Sequence, residues 1–133
     1  MKPTEESLPL PRGTLCLQTI AMPKDANPNG DIFGGWLVSQ MDLAAGVAAR
    51  KRAQGRTTTV AIDAMVFLRS VKAGDIVSFY TDILSTGRSS MKIMVEVWEV
   101  NDLTGAQTKL TEGMFTFVAI NDDGRTRALP GPL

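Results

Sequence analysis

The chain predicts an α+β domain in which one long buried helix is wrapped by a strongly curved antiparallel sheet of about five strands. Three observations lead there. One stretch of helix length, about Gly35 to Ala53, is apolar around nearly its whole circumference, and such a helix is buried. From Thr57 onward the chain alternates apolar and polar residues, the period of strands. Short clusters of turn formers separate those alternating segments at hairpin spacing. The 133 residues fit one domain, taken as residues 13–130.

Residues 1–12 hold three prolines and few apolar groups, and are expected to form a flexible arm. "TLCLQTIAM" (14–22) reads as a first strand, and "PKDANPNGD" (23–31) as a loop dense in turn formers. In the helix, Leu37, Met41, Leu43, Ala44, Ala45, Val47, Ala48 and Ala49 cover almost every side. "RKRAQG" (50–55) then puts cations at the negative end of the helix dipole and Gly55 in the C′ position. "TTTVAIDAMVFLR" (57–69) places Val60, Ile62, Ala64, Val66 and Leu68 on one face. The turn "VKAGD" (71–75) leads into "IVSFYTDILST" (76–86), and "GRSS" (87–90) into "MKIMVEVWEV" (91–100), with Met91, Ile93, Val95 and Val97 on one side. "NDLTG" (101–105) leads into "AQTKLTEGMFTFVAI" (106–120), and "NDDG" (121–124) marks a last turn before a tail at 131–133. Consecutive hairpins are the expected connection.

Composition excludes several function classes. The formal net charge is zero, so no global field recruits nucleic acid or an anionic membrane. Cys16 is the only cysteine, which excludes an intramolecular disulfide and a cysteine zinc site and suits a reducing cytoplasm. No stretch approaches the roughly 20 apolar residues of a membrane span, and the N-terminus lacks the apolar core of a signal peptide. The chain has no histidine. Ser-His-Asp and Cys-His catalysis and His-ligated metals are therefore excluded. Chemistry must rest on carboxylates, hydroxyls, amides, backbone N–H groups or cations.

Asp42 is the first candidate. Its neighbours on its own helix face are Gly35, Val38, Ser39, Ala45, Gly46 and Ala49, with no Lys or Arg within one turn. A carboxylate among small apolar residues, with room above it, is a candidate general base or nucleophile. Alternatively it is hydrogen-bonded across the sheet or lies at a subunit rim. Gly34 and Gly35 offer unpaired N–H groups at a helix start, where an anion or developing oxyanion can approach; close packing against the sheet is the other reading. Asn27 either adds a side-chain amide donor or forms an Asx turn beside Pro28. Arg88, Ser89 and Ser90, with Gly87 before and Lys92 after, suit a phosphate or pyrophosphate, or else form an ordinary polar turn. Met41, Met65, Met91 and Met94 either fill the core or line an adaptable wall.

"AMPKDANPNGDIFGGWLVSQMD" (21–42), "VKAGD", "GRSS" and "MFTFVAI" (114–120) together resemble the YciA-type bacterial acyl-CoA thioesterases, hotdog-fold proteins related to the brain-type acyl-CoA hydrolases. The likeness covers about residues 13–130. It implies a hotdog fold and hydrolysis of acyl-CoA to free acid and CoA in fatty acid metabolism, with no metal or cofactor and coenzyme A as product. By position it implies Asp42 as the catalytic acid, Asn27, Gly34 and Gly35 around the thioester carbonyl, and Arg88, Ser89 and Ser90 on coenzyme A. Many hotdog relatives carry histidine where this chain has Phe33, which puts added weight on Asn27.

Gly35 and Asp42 are seven residues apart, about 10 Å along a helix. A reacting carbonyl needs its oxyanion donors and its nucleophile each about 3 Å away, so one helix does not supply both. Antiparallel helices from two protomers would, and a two-fold dimer then makes two composite sites. The family's dimers usually assemble further, so a trimer of dimers is expected. Two other readings compete. Hydration or dehydration of acyl thioesters generally uses a histidine, absent here. A non-catalytic acyl-CoA sensor should lack the acid or the glycines, and both are present.

Overall fold

The computed structural model describes residues 10–131. Five strands, β1 (Thr14–Ile20), β2 (Thr57–Phe67), β3 (Ile76–Thr86), β4 (Ser90–Val100) and β5 (Gln107–Ala119), form one antiparallel sheet around a single 20-residue helix, α1 (Gly34–Ala53). This is the expected helix-in-sheet architecture. The order across the sheet is β1-β3-β4-β5-β2. Only β3, β4 and β5 are joined as consecutive hairpins, which corrects the expectation for the whole chain. The reason is α1: it carries the chain across the concave face, so β2 lands on the edge opposite β1.

The core lies between α1 and the inner face of the sheet. α1 buries Leu37, Met41, Ala44, Ala45, Ala49 and Ala53 against Val77, Phe79, Ile93, Val95, Phe115 and Phe117. Four of the six helix residues are alanines, which let the helix axis approach the sheet closely. The helix is not covered all round, however. Leu43 and Val47 are exposed on the opposite face. The sequence pattern therefore reports a helix with two apolar faces, of which the single chain covers one.

β2 departs most from expectation. Thr59 pairs with Phe117 and Ala61 with Thr116; Asp63 pairs with Met114 and Val66 with Glu112. Each step adds one residue to β2, so two bulges interrupt the alternation. Thr59, Ile62 and Phe67 share register with the buried Phe117, Phe115 and Thr111, whereas Ala61, Asp63 and Val66 pair with half-buried residues of the outer face. The single apolar face predicted from Val60 to Leu68 is thus split. Ala64, within the second bulge, has a left-handed backbone at φ 53.

The end of α1 also differs in detail. The left-handed residue is Gln54, not Gly55. A side chain at position 55 would lie 2.7 Å from the guanidinium of Arg127. That guanidinium donates to the carbonyls of Ala53 at 3.0 Å, Arg56 at 3.4 Å and, through Nε, Ile120 at 3.0 Å. Gly55 therefore makes room for an arginine that caps the helix. The segment after β5 is held in the same way: Arg52 donates to Pro130 O and Leu129 N–H to Arg88 O. Most of the expected N-terminal arm, and residues 132 and 133 of the tail, lie outside the described residues.

Candidate active site

Asp42 sits on α1, half-buried, and is not unpartnered. The hydroxyl of Thr59 on β2 donates to Asp42 Oδ1 at 2.6 Å. One carboxylate oxygen is thereby held by the sheet, and Oδ2 makes no hydrogen bond to the described residues. Thr59 points inward because it pairs with Phe117, just before the first bulge turns the strand. A side chain at Gly46, one turn along, would meet the Phe117 ring at 3.7 Å, so this turn of α1 lies against the same residue that pairs with Thr59. Thr59 was not singled out from sequence. Its only signal was a threonine run, which also reads as ordinary strand composition.

The loop before the helix is rigidly built. Asn27 N–H donates to Asp31 O at 2.8 Å, while Asn27 Oδ1 accepts from the N–H groups of Asn29 at 2.9 Å and Asp31 at 3.1 Å. The Asx turn is therefore real, and it is compatible with the ligand reading. It consumes the amide oxygen and leaves the NH₂ without a partner among the described residues. Ile32 N–H bonds Val71 O at 2.7 Å, and Lys72 Nζ reaches Asp31 at 2.5 Å, which fastens the loop to the 71–75 turn. The hydrogen bond and charge of Asp31 raise the Lys72 pKa above 10.5.

Phe33 is the N-cap of α1 and provides no side-chain cap. Trp36 N–H bonds back to Phe33 O at 3.0 Å, so the N–H groups of Gly34 and Gly35 are the donors left at the helix start. Both glycines are exposed. Nothing lies within 4 Å of where a side chain at Gly35 would be, and the Phe67 ring lies 3.7 Å from the corresponding point at Gly34. The close-packing alternative does not hold at Gly35, and both amides remain open to approach.

Arg88 and Ser89 form the tip of the β3–β4 hairpin, closed by a Gly87 N–H to Ser90 O bond of 2.9 Å. Ser89 O accepts from Ala119 N–H at 2.8 Å and Arg88 O from Leu129 N–H at 2.7 Å. The backbone is thus clamped, while the Arg88 side chain projects into solvent.

These groups are not all brought together. Along β5, Phe117 faces Thr59 and the acid, and Ala119 lies beside Ser89. Thr111, six residues away and so about 20 Å along the strand, faces Phe67 and the helix start. One chain therefore gathers Asp42, Thr59 and the Arg88–Ser90 hairpin toward one end, and Asn27, Gly34 and Gly35 toward the other. Each half lacks what the other has.

Relatives agree with this architecture. The thioesterase superfamily model matches residues 29–106. The acyl-CoA thioester hydrolase YciA of Escherichia coli is 45% identical over 124 residues, covering 91% of this chain and 94% of that protein. The hexameric thioesterase y2039 of Yersinia pestis superposes with a TM-score of 0.87 at 49% identity, over 92% of this chain and all of that one. An aspartate-to-alanine mutant of HI0827, a hexameric broad-specificity acyl-coenzyme A thioesterase, gives 0.86 at 45% identity, over 90% and 88% of the two chains. One family model spans more than half of the sequence, and the same helix-in-sheet frame recurs at this identity: the chain belongs to the thioesterase superfamily of hotdog-fold proteins.

Proposed function

We infer that this chain is an acyl-CoA thioester hydrolase, working as an oligomer whose reaction centre is shared by two copies. The observation that carries the second half is the split site: an acid with one free oxygen at one end of the fold, and unpaired amides at the other. Antiparallel apposition of two α1 helices places the glycine pair of one copy over Asp42 of the other. The exposed Leu43 and Val47 give that apposition an apolar surface to bury. The hexameric state of the thioesterases that superpose on it supports a trimer of such dimers.

In this reading the N–H groups of Gly34 and Gly35, joined by the NH₂ of Asn27, hydrogen-bond the thioester oxygen and stabilise the charge that grows on it. Asp42 acts from the partner's face. Its Oδ1 is held by Thr59, so Oδ2 takes a proton from an attacking water. The water oxygen bonds to the carbonyl carbon, the tetrahedral intermediate collapses, the C–S bond breaks and the electron pair leaves on sulfur. A thiol pKa near ~8.5 makes that thiolate a tolerable leaving group, so no histidine is required as general acid. In the alternative route Oδ2 attacks directly and water then opens the anhydride. Single turnover in heavy-oxygen water tests for it: solvent label reaches the Asp42 side chain only through an anhydride that water opens at the Asp42 carbonyl carbon. Arg88, Ser89 and Ser90 bind the phosphates of coenzyme A from the same end as the acid. No metal or cofactor enters this scheme, and we place the enzyme in the cytoplasm.

The deciding experiment is Asp42→Ala, checked for fold and oligomeric state. Turnover of acyl-CoA should drop by about a hundredfold or more. An unchanged rate would remove Asp42 from the reaction.

A further inference from the structure

β2 carries a device that the proposed reaction does not use. At the second bulge, Ala64 adopts the left-handed backbone that L-residues avoid, and among the described residues only Gln54 shares it without being glycine. A bulge of this kind re-aims the side chain beside it. Here it lays Met65 over Gly113 on β5. A side chain at position 113 would stand 2.7 Å from Met65 Cε, 2.9 Å from its Sδ and 3.4 Å from Met41 Cε. Gly113 is therefore a notch in the inner face of the sheet, filled by a thioether from the neighbouring strand. The Thr111 hydroxyl fastens the Val66 carbonyl and lies 3.9 Å from the same sulfur.

The position matters. On the inner face β2 passes Thr59, which holds Asp42, and ends at Phe67, against Gly34. Met65 lies between them, packed on the core yet only half-buried, beneath the helix turn that carries Met41 and Asp42. On the inner face of β4, Met91, Ile93, Val95 and Val97 are all fully buried, so Met65 differs from the inner-face methionine of that strand in being left partly open. A flexible unbranched side chain in a notch, aimed by a strained backbone and left partly open, is built to move.

We propose that Met65 is the specificity-determining wall of the acyl channel: its thioether occupies the Gly113 notch, and its displacement sets how long an acyl chain the seam between α1 and β2 accepts. This rests on the acyl-CoA hydrolase reading. Short chains end before reaching it. Longer chains press on the thioether, which rotates about its unbranched bonds.

The test compares kcat/KM for butyryl-CoA and dodecanoyl-CoA in wild type and variants whose fold and oligomeric state are verified. Gly113→Ala pushes Met65 out of the notch into the channel, so the dodecanoyl-to-butyryl ratio should fall about tenfold. Met65→Ala opens the wall, so the ratio should rise several-fold. In the double variant the added methyl meets no thioether, and the ratio should return above that of Gly113→Ala alone. Should Met65→Ala fail to fold, Met65→Leu, of similar volume but branched, should keep the fold and lower the ratio. Folded variants at position 65 with the wild-type ratio would overturn the proposal while leaving hydrolysis intact. A wild-type protein that cleaves neither substrate would instead overturn the function on which it rests.

Discussion

β4 and β2 are both eleven residues long, and both read as alternating apolar strands, but the fold treats them in opposite ways. β4 lies in the middle of the sheet and fully buries Met91, Ile93, Val95 and Val97. β2 lies on an edge, bulges twice, and leaves Val60 54%, Ile62 43% and Phe67 51% exposed. The difference teaches that alternation specifies a strand without specifying what will cover it. β4 is finished by its own chain. β2 and the outer face of α1 remain unfinished, and the proposed reaction lies on that side of the molecule. An edge strand with open N–H and C=O groups and apolar side chains is a liability unless another chain occupies it.

Four substitutions sharpen that contrast. The largest effect should come from Val95→Asp. A carboxylate there is buried without a partner and costs several kcal/mol, a large part of a typical stability of about 5–15 kcal/mol. Circular dichroism should show an unfolded chain. The same change on β2, Ile62→Asp, should leave the monomer folded because the site is half-open. It should dissociate the oligomer in sedimentation and lower acyl-CoA turnover by about a hundredfold or more, the loss expected for Asp42→Ala under the proposed mechanism. A folded, associated and fully active Ile62→Asp protein would erase the distinction drawn between the strands.

Ala64→Gly tests the strain in the second bulge. Glycine adopts a positive φ without penalty, so the variant should be more stable by about 1 kcal/mol in denaturant melts. A loss of stability instead would mean that the alanine methyl packs better than its backbone is strained. The smallest effect belongs to the Lys72–Asp31 pair, which fastens the loop before α1 to the 71–75 turn. The folded pKa of Lys72 is raised above 10.5, so its contribution is fully present below 10.5 and is lost as pH rises through the raised value. The pair is exposed, so Lys72→Met should change the melting temperature at pH 7 only slightly. Melts taken above pH 10.5 should then show wild type and variant converging.

Much of the candidate site could be picked out without coordinates. Asp42 stood out because a carboxylate without a cation nearby is anomalous on an apolar helix, and Gly34 and Gly35 because paired glycines open a helix start. The role of Asn27 was only half legible. Its Asx turn follows from the local spacing, but that the turn spends the oxygen and leaves the NH₂ depends on the folded loop. Thr59 and Arg127 were illegible. Thr59 meets Asp42 across 17 residues, and Arg127 reaches Ala53 across 74, and neither type of residue is unusual where it stands.

The sequence by itself determined the long helix, the run of strands after it, the absence of histidine and the candidate acid Asp42, because periodicity and composition are properties of neighbouring residues. Tertiary structure alone decided the edge positions of β1 and β2, the two bulges, and the grouping of Asp42 with Thr59 and the Arg88–Ser90 hairpin toward one end of the sheet. Those depend on where α1 crosses the concave face and on strand register, which arise from contacts between residues far apart in the chain.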